Sequence, residues 1–131
     1  MNGPAVRSTA AARLTFGGAL WPALAGWIAG MLLRHFVVEP TDIIHACDLA
    51  PWQGWCAPRS VLIQTFATQG LGWFALAAGG LALWRRSRRL AALALVIGAA
   101  GLVLYCVEPS VVGALAGALV FARPPAPGAK P

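Results

Sequence analysis

Charge is what this chain has least of. Only four of its 131 residues are carboxylates (Glu39, Asp42, Asp48 and Glu108), and none lies inside an apolar run. That scarcity removes paired carboxylates for acid–base chemistry. It also removes the membrane-embedded acid that a small proton-coupled exporter relies on. The three cysteines form no Cys-x-x-Cys, so the close dithiol that exchanges with a partner's disulfide is missing. No nucleophile–base pair and no phosphate-binding loop stands out either. The expectation is a protein that is not an enzyme.

What the chain has in quantity is apolar surface. Hydrophobic residues make up 59% of it and charged residues 11%, with a mean hydropathy of +0.71. A soluble domain of this length could not bury that much. One domain in a membrane is therefore expected. The net charge of +6 does not point to nucleic acid. Its basic residues sit at the ends of apolar runs and form no stripe interleaved with aromatics.

The fold class expected is all-α, with four transmembrane helices in an up-down bundle. The spans lie at about 14–38, 61–84, 90–106 and 107–122, within a single domain covering 1–122. The last is short against the roughly 20 residues a spanning helix needs. Residues 39–60 form a structured outer loop between the first two helices, and the tail "RPPAPGAKP", 123–131, has no apolar content to pack and should be disordered. Four spans put Arg7, Arg13, Arg85, Arg86, Arg88, Arg89, Arg123 and Lys130 on one side, and Arg34, Arg59 and all four acids on the other. By the positive-inside rule both termini and "RRSRR" are cytoplasmic and 39–60 faces outward across a bacterial inner membrane. Ala23-Leu24-Ala25 resembles a signal-peptide cleavage site, but the apolar run continues through "GWIAGMLL", longer than a signal core.

The stretch "HACDLAPWQGWCAPRS", 45–60, is the most chemically crowded. On an oxidising face Cys47 and Cys56 can form a disulfide. Closing a loop of about ten residues stabilises by roughly 2.5–3 kcal/mol. Pro51 and Gly54 favour the turn that brings the ends together. Cys106 leaves three pairings open, and as a resolving thiol it would support exchange chemistry instead. His35 and His45 are the residues a metal or haem would use. Their spacing is irregular for zinc, and they do not sit on facing spans as two haem ligands would. No metal and no cofactor is expected, with a quinone as the alternative. Trp52, Trp55 and Trp84 suit the interfacial belts.

Inside the second span, Gln64, Thr65, Thr68 and Gln69 make two i,i+4 pairs on one face. Polar groups in hydrocarbon turn toward protein. The face is expected to look into the bundle and hydrogen-bond between helices, at about 0.6 kcal/mol per contact. The functional alternative is a quinone, lipid or small-molecule pocket with Glu108 as its charged member. Gly26 with Gly30, and Gly113 with Gly117, place small residues at helix-packing spacing. The segments "VVEPT" and "CVEPS" repeat a turn in which Thr41 and Ser110 could cap the following helices.

Taken whole, the chain resembles the small uncharacterised four-helix inner-membrane proteins of bacteria, a likeness of general pattern that implies no function. The expectation is a non-catalytic accessory or assembly subunit of a membrane complex. Its partners would be the lipid bilayer and other membrane proteins or itself, and not nucleic acid. A quinone- or thiol-linked redox protein and a small transporter component are the alternatives.

Overall fold

The computed structural model describes the backbone of residues 4–123 and the side chains from residue 17 to 123. The tail beyond 123, Arg7, Arg13 and Lys130 lie outside one or both of these limits. Among the described residues the structure is all-helical: α1 (Pro4–Leu33), α2 (Thr41–Leu49), α3 (Cys56–Ala67), α4 (Gly70–Arg85), α5 (Arg88–Val103) and α6 (Val107–Ala122). A π-helical turn, Arg34–Val38, extends α1 and closes with the Glu39 amide on the Arg34 carbonyl at 3.0 Å. Pro40 then ends the run, because the residue before a proline disfavours helix.

Two expectations about helix ends are corrected. Neither Thr41 nor Ser110 caps a helix: Pro40 precedes α2 without a side-chain cap, and α6 starts earlier, behind Cys106. Pro109 is accommodated in the first turn of α6, where its missing N–H would have had no helical partner anyway. Ser110 is thereby drawn into the helix and fully buried.

The apolar run 61–84 is not one straight span. It breaks at Gln69, which takes a left-handed φ of 54°, and α3 and α4 meet at a bend of 63°. Arg86, at φ 51°, ends α4 the same way and turns the chain through Ser87 into α5. The stretch 39–60 carries all of α2 and the first residues of α3.

α4, α5 and α6 pack against one another, and α1 lies on α5 and the edge of α6. Glycine contacts set the register. The Gly113 position lies directly on the Ala75 backbone, and a Cβ on Gly26 would collide with the Val96 carbonyl. Gly30 meets Ala100, and Gly79 meets Gly113 and Ala116, so α1 runs parallel to α5 and α4 parallel to α6. Gly117 against Ala91 and Gly98 against Ala114 make α5 and α6 antiparallel. Both glycine pairs read from the sequence thus serve the interior.

The interior is built of small side chains. Ala75, Ala82, Ala91 and Ala94 have no exposed surface. All six tryptophans (Trp21, Trp27, Trp52, Trp55, Trp73 and Trp84) are exposed, from 48% to 85%. Such a distribution is the inverse of a soluble core, where large side chains are buried. α4, α5 and α6 have 16 residues each, about 24 Å of helix. The final helix is no shorter than its neighbours. Gly17–Val38 is long and apolar enough to cross a membrane, and α3 with α4 meets that criterion only if the bent pair counts as one span.

Candidate functional site: the disulfide-linked cap

The chemically distinctive side chains gather around α2 and α3, which sit at the end of the bundle where α1 finishes and α4 and α6 begin. Four chain features hold this cap. Cys47 and Cys56 are joined, with Cα atoms 5.3 Å apart. The turn between them uses Gly54 at φ +52°, a conformation open to glycine at little cost, with the Gln53 amide on the Ala50 carbonyl and the Cys56 amide on Gln53. The Ser60 hydroxyl donates to the Pro51 carbonyl at 3.0 Å, pinning the start of α3 to the turn.

The fourth feature is Arg59, 92% buried. Its Nε donates to the Val37 carbonyl at 3.2 Å and its Nη2 to the Val38 carbonyl at 3.3 Å. Carbonyls at a helix end have no partner within the helix, and a guanidinium satisfies two of them with one side chain. Arg59 is therefore the polar link between α3 and the end of α1. Sequence reasoning missed it, counting Arg59 only as a positive charge. No local signal marks it, because its partners lie 21 and 22 positions away.

Under the bridge is an open cavity of about 470 Å³, lined among others by Cys47, Asp48, Trp52, Arg59, Ile63 and Gln64. It holds groups of both charges. Asp48 and Arg59 do not touch: the ion pair among the described residues is Arg34 with Glu39, at 2.6 Å. Arg34 also stacks over the Tyr105 ring, 4.9 Å from its centre.

The polar set read from the second span does not stay together. Gln64 lines the cavity, whereas Thr65, Thr68, Gln69 and Glu108 do not. Gln64 and Thr68 are exposed, the first within α3 and the second just past its end, and α3 packs chiefly on α4 and the π-helical turn. The expected interhelical hydrogen bonds are absent for the threonines: Thr65 donates to Val61 at 2.9 Å and Thr68 to Gln64 at 3.0 Å, each to a carbonyl of α3 itself. Hydroxyls back-bonded to the fourth preceding carbonyl often bend a helix, and here the break follows at once. Glu108 is exposed in the first turn of α6, where a carboxylate suits the positive end of the helix dipole.

Cys106 is fully buried at that break. Its thiol donates to the Phe66 carbonyl at 3.5 Å and lies beside the Gly72 amide, so one sulfur meets backbone groups on both sides of the bend. It is the one free cysteine, and it is not within the disulfide. His35 and His45 are both exposed, His35 edge-on to Phe36, and among the described residues no three His, Cys, Asp or Glu side chains converge.

No family model, curated protein or solved structure matches the chain. The functional reading rests on these residues alone.

Proposed function

We propose that the chain is a non-catalytic integral membrane protein of a bacterial inner membrane, an accessory or assembly subunit of a membrane complex. In this reading α1, α4, α5 and α6 are the four spans. Both termini and the arginine-rich turn at 85–89 are cytoplasmic, and the α2–α3 cap lies on the opposite surface. The observation that carries it is the placement of all six tryptophans on the exterior around a core made largely of alanine and glycine. Water would penalise that arrangement by about 25 cal/mol for every Å² of apolar surface left exposed. A bilayer removes that penalty, and helix association then relies on close backbone packing, which small residues permit.

The charge distribution supports the orientation. Arg85, Arg86, Arg88, Arg89 and Arg123 are exposed at one end of the bundle, and the acids are at the other. A disulfide in the cap fits an oxidising compartment. The burial of Cys106 argues against a thiol-exchange function, which needs an accessible thiolate.

Three measurements test this reading. Alkaline carbonate should leave the protein in the membrane pellet, and its release would sink the membrane assignment. Reporter fusions after Ser87 should be active in the cytoplasm and fusions after Gln53 on the far side. The reverse pattern would overturn the orientation. Mild-detergent extraction followed by co-purification should return a membrane partner in fixed ratio, and a lone monomer would remove the subunit role.

A further inference from the structure

We propose that the cavity between α2 and α3 is a binding site for a zwitterionic phosphoamine, with the phosphoryl group on Arg59 and the ammonium on Asp48. The source the geometry favours is the headgroup of an aminophospholipid. Three observations support this. The cavity, at about 470 Å³, falls within the size range of small-ligand sites. It brings together one guanidinium and one carboxylate that make no ion pair with each other. A ligand carrying both charges in turn completes both.

Arg59 is prepared for that role. Its hydrogen bonds to Val37 and Val38 occupy Nε and Nη2 and fix the plane of the guanidinium, and Nη1 carries no hydrogen bond to the described residues. A planar fork already ordered by the protein loses little freedom on meeting a phosphate. Burial strengthens the interaction by excluding water. Asp48 is exposed near the end of α2, with no cation of the described residues within 4.0 Å.

The surroundings indicate lipid over a free metabolite. Trp52 lines the same cavity and is 63% exposed, with Trp55 beside it in the turn at 68%. An indole pair with apolar faces and N–H edges is at home at headgroup level. Ile63 adds an apolar side chain to the lining along α3, beside the carboxamide of Gln64. This placement rests on the membrane reading above, which fails on carbonate extraction; the present proposal fails on headgroup selectivity, a separate readout.

The test uses full-length protein, purified in detergent, delipidated and titrated with defined lipids by native mass spectrometry. Phosphatidylethanolamine should bind about tenfold more tightly than phosphatidylglycerol, since only the former carries the ammonium that Asp48 accepts. Asp48→Asn, an exposed substitution that leaves the cap bonds intact, should weaken phosphatidylethanolamine binding and abolish that preference. Arg59→Lys should weaken both lipids. Free phosphoethanolamine displacing the lipid would show that the headgroup suffices; failure to displace, with the lipid preference intact, would assign the site to lipid and its acyl chain. Equal binding of the two lipids, an Asp48→Asn protein that keeps the preference, or displacement by glycine as effective as by phosphoethanolamine would overturn the proposal.

Discussion

Where α4 meets α6, Gly113 rests on the Ala75 backbone with no side chain between them. Where α2 meets α3, a covalent bridge and a buried arginine cross the gap. On the proposed membrane reading, the contrast follows from the surroundings each region is built for. In hydrocarbon, lipid tails are as apolar as leucine, so helices gain most from close dispersion contact and the bundle uses the smallest residues it can. At the polar boundary water competes for every backbone group, and nine residues of α2 cannot bury enough surface to hold themselves. The cap relies on a disulfide and on hydrogen bonds instead.

The most damaging way to break this contrast is to put a side chain into the bundle. Gly113→Leu should destabilise by more than about 3 kcal/mol, beyond ordinary overpacking, because the obstacle is backbone. Helix melting in detergent should show it as loss of the cooperative transition. Gly80, with nothing within 4 Å of a Cβ, is the control. Gly80→Ala should be neutral or stabilise by about 0.4–1 kcal/mol. Equal damage at both positions would mean that glycine packing does not hold the bundle.

Removing the bridge comes next. Cys47→Ser with Cys56→Ser should cost the cap about 2.7 kcal/mol of loop-closure entropy. Proteolysis between residues 50 and 55 should quicken, while the main melt of α4, α5 and α6 hardly moves. A single lowered transition for both regions would show one cooperative unit where two are drawn here. Peptide mapping without reduction should return the 47–56 linkage in protein from its native membrane.

Arg59→Ala sharpens the same boundary more locally. Two carbonyls lose their partner, a loss of about 1–3 kcal/mol, and hydrogen exchange should rise in α3 and the Arg34–Val38 turn with the bundle unaffected. The smallest effect belongs to Glu39→Gln. Its ion pair with Arg34 is solvent-exposed, and exposed pairs are screened and weakly coupled. No resolvable shift in the thermal midpoint is expected, and a large one would mean that Arg34 is held in place by Glu39 for packing on Tyr105.

Some of the cap and most of the helix content were legible in the residues. Pro51 and Gly54 announce a turn, and a turn between two cysteines nine positions apart suggests the bridge that the structure contains. The "RRSRR" stretch marks the end of one apolar run and the start of the next, where Arg86 takes its left-handed conformation. The break at Gln69 carries no comparable mark. No proline lies near it, and Thr68-Gln69-Gly70 is only a short polar interruption with apolar residues on both sides. The four polar residues share one face on a straight helix, whereas the chain bends at Gln69, and the cavity under the bridge is lined by Asp48 and Arg59.

By itself the sequence determined composition-level and local properties: the apolar runs, the turn residues between them and the sorting of charge to their ends. These depend on neighbours within a few positions, so they survive in a one-dimensional reading. Tertiary structure alone decided what Gly26 and Gly113 lie against, which carbonyls Arg59 reaches, and where the second run bends around the sulfur of Cys106. Each of those depends on a group far along the chain. A hydrogen-bonding or packing partner brought in by folding leaves no periodic trace in the residues on either side.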